Sequence, residues 1–180
     1  VKLSPQDYDL LLNIYECYDD KNLSAEGDAY LQQALAINSD DSEDIYQKAR
    51  IYYFLGDYDD AKTELNKMAD SMDERSTMLL CRTYMKQDDT AHARQLYQQY
   101  MDKYGETPEA YNGMVLCDIA DENYDSAPEN ITKGLALSND KGKQDLYFNE
   151  IVVYEKKLDF VTAKTKAEAY VATYPADEAG

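Results

Sequence analysis

The side chains that most often do chemistry are few in this chain and poorly spaced for it. His92 is the only histidine, and Cys17, Cys81 and Cys117 are odd in number and far apart. A hydrolytic triad needs a nucleophile, an oriented imidazole and a third group, and a zinc site needs several His or Cys ligands. Neither set can be assembled, and no glycine-rich phosphate loop is present. With 36 acidic residues in 180, a carboxylate pair picked out by spacing has no weight as glycosidase machinery. Residues 19–31 come nearest to a calcium loop but lack the central glycine and the closing bidentate glutamate. These residues therefore predict no enzyme, no metal and no cofactor, and leave binding as the chemistry to explain. Arg50 and Arg82 suit it, because a planar guanidinium takes a carboxylate through two parallel hydrogen bonds. Tyr46 and Tyr53 flank the first arginine, and Met78 and Met85 flank the second.

The elements that must position these side chains repeat. Ala29, Ala61, Ala93, Ala127 and Ala163 recur at intervals of 32, 32, 34 and 36 residues, with an aromatic three residues earlier in three of the five. A period in this range marks stacked helix pairs. The best-formed unit places Ile45, Ala49, Tyr52 and Leu55 on one helical stripe and breaks at Gly56, a residue suited to a helix end. A second helix then carries Ala61, Leu65 and Met68 on one face. Ala61 is small because two antiparallel helices joined by so short a turn must approach closely. Helix breaks are expected near residues 19–23, Gly56, residues 87–89, residues 121–123 and Leu158. Pro128 predicts a helix beginning near Ser126 with proline in its first turn, where the missing N–H costs nothing.

Ile45, Ala49, Tyr52, Gly56, Tyr58, Ala61 and Leu65 follow the pattern of the tetratricopeptide repeat, and the chain resembles that family over nearly its whole length. The next unit offers Leu80, Cys81, Tyr84, Ala93, Tyr97 and Tyr100. The one after offers Tyr111, Met114, Val115, Tyr124, Ala127, Ile131 and Gly134, with Asp118 where tyrosine is expected. The last offers Tyr147, Ile151, Tyr154, Phe160, Ala163, Tyr170 and Pro175. The first is the loosest, with Tyr8, Leu11, Leu12, Tyr15, Ala29 and Ala36, and its turn over residues 19–27 reads as about five residues longer than the others. The resemblance implies an all-α fold, a right-handed α-α superhelix or solenoid of about five helix pairs. One repeat domain over residues 1–180 is expected, with units near 5–40, 41–72, 73–106, 107–142 and 143–175.

In that family the first helix of each pair lines a concave groove. The resemblance therefore implies a peptide-binding face of Tyr46, Arg50, Tyr53, Met78, Arg82, Met85, Asn112, Leu116, Ile119 and Phe148. Aromatic, Met and Arg side chains are what binding hot spots are made of. The expected function is a non-enzymatic scaffold that binds a protein or peptide, gripping it through an acidic side chain or a free C-terminus. Two alternatives stand beside it. Each arginine pairs within the fold with a neighbouring acid, or the repeats serve as a structural spacer or a self-association segment.

A net charge of −18 argues against nucleic acid and anionic membrane surfaces, both of which require a basic footprint. Many of the acids sit at expected helix starts, where they cap N–H groups and face the positive end of the helix dipole. No apolar run reaches the roughly 20 residues needed to span a bilayer. Cys81 reads as a buried small hydrophobe. Val1, Pro5 and residues 176–180 read as cut ends, which predicts an uncovered terminal repeat with Tyr147, Ile151 and Tyr170 or their neighbours partly exposed and self-association through it. The chain also resembles exported bacterial repeat lipoproteins, which implies a cell-envelope location, with the cytoplasm as the alternative.

Overall fold

A computed structural model describes residues 6–68 and 71–175, so the reading of Val1, Pro5 and residues 176–180 lies outside the described residues. Ten helices and no strand occur among the described residues. Their contacts group the chain into two compact units, Val1–Thr83 and Tyr84–Gly180, with the division inside the fifth helix. The first unit holds α1 (Tyr8–Asp19), α2 (Ser24–Leu35), α3 (Ser42–Leu55), α4 (Tyr58–Asn66) and most of α5 (Glu74–Lys86). The second holds α6 (Thr90–Tyr104), α7 (Pro108–Ala120), α8 (Ala127–Ala136), α9 (Lys143–Lys156) and α10 (Phe160–Thr173).

One turn recurs five times. Asn22, Gly56, Asp88, Glu122 and Leu158 all have positive φ, between 57° and 80°. The N–H that follows each of them reaches back across the turn: Leu23 to Tyr18 O (2.9 Å), Asp57 to Tyr52 O (2.8 Å), Asp89 to Tyr84 O (3.0 Å), Asn123 to Asp118 O (2.7 Å) and Asp159 to Tyr154 O (3.0 Å). This is the Schellman closure, in which a left-handed residue lets the chain satisfy the last carbonyls of one helix before the next begins. The turns fall at the five expected breaks. In two of them one aspartate also starts the next helix: Asp89 accepts from the His92 N–H, and Asp159 from the Thr162 N–H. Asp41 does the same for α3, accepting from the Glu43 and Asp44 N–H groups. Pro128 occupies the first turn of α8, as expected.

The five turns correct the reading of the first unit. Five residues after each left-handed position stand Gly27, Ala61, Ala93, Ala127 and Ala163, and all five are buried. Ala29 is exposed, so Gly27 is the close-approach residue of that unit, and its connection over residues 20–23 is not five residues longer than the others. The tyrosine that matches Tyr52 and Tyr154 is Tyr18, not Tyr15. The physical reason is a trade of volumes. Tyr15 stands where α3 has Ala49, and Gly27 makes room for it: a Cβ on Gly27 would lie 3.0 Å from Tyr15 Cδ2.

Apolar packing follows from the stripes. In the first unit Tyr8, Leu11, Leu12, Leu31, Ala34 and Ile51 form a buried cluster, with Tyr15, Tyr30 and Leu55 packed against it. In the second, Tyr97 lies so close over Gly113 that no Cβ fits there, and Gly134 admits Leu146 and Tyr111. Tyr170 takes the matching position on α10 and is itself buried, with Phe148 and Tyr174 at ring separations of 6.1 and 5.2 Å. Tyr147 and Ile151 are half-buried, as the reading of the terminal repeat expects, but Tyr170 is not exposed.

Candidate binding faces

In the first unit the expected face belongs to α3 and α5. Tyr46 is half-buried beneath two cations, with Arg75 Cζ 4.6 Å and Arg50 Cζ 6.0 Å from its ring centre. Arg50 Nη1 donates to Asp9 Oδ1 at 2.9 Å and to Gln47 Oε1 at 2.6 Å. Gln47 Nε2 donates in turn to Glu43 Oε1 at 2.7 Å, and Arg75 Nη2 donates to Glu43 Oε2 at 2.8 Å. A continuous hydrogen-bonded chain thus runs from α1 over α3 to α5. The Arg75 and Gln47 hydrogen bonds hold the Glu43 carboxyl below its ordinary range. Of the two alternatives for Arg50, the structure contains the pairing within the fold. Tyr53 packs edge-on against Tyr58, and its burial raises its phenol pKa. Met78 is buried, whereas Arg82 is exposed.

The second unit presents the same repeat positions differently. Asn112 and Ile119 on α7 are half-buried, and Leu116 between them is exposed. Asn149 Nδ2 on α9 donates to Asn112 Oδ1 at 2.8 Å, which links the two helices at this face. Phe148, also on α9, is exposed on the side not covered by Tyr170. Met85 is half-buried with its sulfur 3.2 Å from Cys117 Sγ. Burial pushes the Cys117 thiol up to about 11, so it remains a neutral apolar group.

The sequence reading noted Asp118 as a departure from the repeat pattern but missed what it holds. Asp118 is 1% exposed. It accepts from Arg94 Nη1 at 2.8 Å and from Asn130 Nδ2 at 2.8 Å. Arg94 Nη2 also donates to Asp121 Oδ2 at 2.9 Å, and Thr90 Oγ1 donates to Asp121 Oδ1 at 2.6 Å. The hydrogen bonds from Thr90 and Arg94 lower the Asp121 pKa. A buried charge with this many partners ties α6, α7 and α8 together. Its signal in the sequence was an acid in an aromatic position with an arginine one helix earlier.

Nothing among the described residues groups three or more His, Cys, Asp or Glu side chains as a metal site. His92 is exposed at the start of α6, where its Nδ1 lies 2.7 Å from Asp89 Oδ2 and its ring stacks on Tyr84. Cys81 is buried and Cys17 exposed. No helix among the described residues is long and apolar enough to cross a membrane.

Ten helices among the described residues, paired through five equivalent turns and with polar and aromatic side chains on the first helix of each pair, define a protein of the tetratricopeptide-like helical repeat class. Two solved structures share the fold. Both are kinesin light chain TPR-like repeats from Podosopora anserina described as nearly identical, one of them a variant. The variant gives a TM-score of 0.67 at 14% identity, covering 97% of each chain. The other gives 0.65 at 14% identity, covering 98% of this chain and 100% of its own. No curated protein matches the sequence. Residues 58–166 match the model of the coatomer epsilon subunit family, and the chain belongs to that family. Folds of this class generally mediate protein interactions and are typically non-enzymatic.

Proposed function

We propose that the chain is a non-enzymatic scaffold that binds an extended protein segment, and that the face of α7 and α9 in the second unit is the principal contact. The observation that carries this reading is the pair of exposed apolar side chains, Leu116 and Phe148, beside the half-buried Asn112 and Ile119. Apolar anchors with amides between them suit an extended peptide: the anchors supply the affinity, and the amides satisfy its backbone. Membership in a family named for a subunit supports protein partners. The first unit contributes Tyr46, Tyr53, Met78 and Arg82 in the second place, because Arg50 is already engaged by Asp9 and Gln47.

Screening a peptide library against the chain tests the reading. Leu116→Ser with Phe148→Ser is expected to weaken selected ligands at least about tenfold, the effect of losing two buried anchors. Arg50→Ala with Arg82→Ala is expected to have a smaller effect, confined to ligands with an acidic side chain. Ligands indifferent to both pairs would favour the spacer reading. The setting implied by the resemblance to exported bacterial lipoproteins belongs to this proposal too, and fractionation of expressing cells addresses it.

A further inference from the structure

The fifth turn differs from the other four in what it shows to water. At the left-handed position, and two and three residues beyond it, the first four turns carry Asn22, Ser24 and Ala25; Gly56, Tyr58 and Asp59; Asp88, Thr90 and Ala91; and Glu122, Tyr124 and Asp125. The last carries Leu158, Phe160 and Val161. Their exposures are 73%, 64% and 81%. Backbone geometry does not ask for this. Leucine is a poor left-handed residue, and a three-residue connection gains nothing from three exposed apolar side chains at and beyond it. Contiguous apolar groups at a tip mark a contact surface. Exposed Lys156 and Lys164 flank this one.

The charge of the chain points to what covers it. Residues 141–166 hold six lysines against four acids, whereas residues 1–45 hold eleven acids against two lysines. Within that acidic stretch a cavity of 480 Å³ opens beside the starts of α1 and α3. Asp7, Asp9, Asp41, Glu43 and Asp44 line it, and Leu10 is exposed on α1. We propose that the tip formed by Leu158, Phe160 and Val161 docks on the acidic α1–α3 surface of a second copy of this chain, with Lys156 and Lys164 directed at its carboxylates. The two surfaces differ, so the contact is head-to-tail. Each added copy leaves one surface of each kind open, and assembly proceeds to a series of species or to a closed ring. Opposite charges steer the encounter and set its register, and the apolar tip supplies the buried area. An anionic membrane is the less suitable occupant, since the chain's 36 acids outnumber its 18 bases. The contact uses none of the side chains assigned to peptide binding.

Sedimentation velocity from micromolar to millimolar protein, at low and high salt, tests the proposal. The average mass is expected to rise with concentration and fall with salt. Phe160→Ser with Val161→Ser alters only exposed side chains and should weaken association at least about tenfold. Lys156→Glu with Lys164→Glu should weaken it too, as should Asp7→Lys with Asp9→Lys, and mixing these two charge-reversed proteins should restore it. Circular dichroism of each variant confirms that it is folded. A monomer at every concentration overturns the proposal, and so does association indifferent to the tip. Flotation of the wild type with phosphatidylglycerol vesicles, lost in the Phe160→Ser and Val161→Ser variant while the protein alone is monomeric, would make the tip a membrane contact instead.

Discussion

The two units use the same repeat positions for opposite ends. In the first, the polar side chains of α3 are consumed by the fold: Arg50 meets Asp9, Gln47 meets Glu43, and Arg75 meets Glu43 across Tyr46. In the second, the ion pair has moved inside, to Asp118 and Arg94, and Leu116 and Phe148 keep just over a third of their surface in water, at 36% and 39%. On the proposed reading, the face of a repeat is free for a partner only where the unit's own charges are satisfied elsewhere. A buried pair and a surface pair also differ in what they contribute. Removing one partner from a buried network strands the others in a low-dielectric site, whereas an exposed pair is screened by water and contributes little.

Asp118→Ala tests that contrast most strongly. It strips Asn130 and one arm of Arg94 of their acceptor and leaves a void between α6, α7 and α8. A loss of about 3 kcal/mol in urea-melt stability is expected. Asp118→Asn keeps the shape and one acceptor and should lose about half as much. A neutral Asp118→Ala would mean that the network is ornamental and that the two units do not differ as argued.

A second comparison concerns packing. Gly27→Leu would drive a side chain into Tyr15 and Tyr18 and should cost about 2 kcal/mol, whereas Ala29→Leu, two residues on and exposed, should be neutral within about 0.5 kcal/mol. The reverse pattern in denaturant melts would restore the register read from the alanine spacing.

That register marks the limit of what the sequence made legible. Three of the five breaks were readable because helix ends need a left-handed residue, and Asn22, Gly56 and Asp88 advertise one; Glu122 and Leu158 do not, and their breaks followed from the repeat spacing. The first unit was misplaced because Ala29 satisfies the spacing by type alone. The real close-approach residue is a glycine whose missing side chain is filled by Tyr15 from the opposite helix, and such a swap conserves volume rather than residue type. The candidate faces were less legible. Asp9 and Arg50 lie 41 residues apart, and in a chain with 36 acids no spacing rule says which carboxylate an arginine will meet.

Backbone strain at the turns should give smaller effects of opposite sign. Gly56→Ala puts a side chain into a left-handed position and should cost about 1 kcal/mol. Leu158→Gly removes one from the same position of the fifth turn and should gain about 0.5–1 kcal/mol in thermal or urea melts. The two measurements together test whether the turns are equivalent.

Acid should erode both units through the carboxylates that the fold holds low. Glu43 in the first and Asp121 in the second are depressed by their hydrogen bonds. The sign follows from linkage: a depressed carboxylate adds stability above its unfolded pKa, near 4, and that stability is lost as pH falls through the lower folded value. Stability against urea, measured from pH 6 down to pH 2, should therefore fall below about pH 4. Asp121→Asn should flatten part of that decline, and an unchanged profile would remove Asp121 from the account.

The smallest effect should come from the most visible ion pair. Asp9→Ala frees Arg50 on the face of α3, but Asp9's side chain is 76% exposed and Arg50 keeps Gln47. Water and salt screen such a pair, and holding two long side chains in one geometry costs entropy. The expected loss is about 0–0.5 kcal/mol in low salt, vanishing in high salt. The variant should instead change binding. With Asp9 gone, Arg50 has a free arm beside Tyr46, and acidic peptides selected against the wild type should bind the variant more tightly, by about twofold to fivefold, as one screened charge allows. If Asp9→Ala unfolds the first unit, the pair is structural and this face was never a site. If affinity for acidic peptides stays fixed, Arg50 is not withheld by Asp9, and the contrast between an engaged first unit and an open second unit must rest on apolar exposure alone.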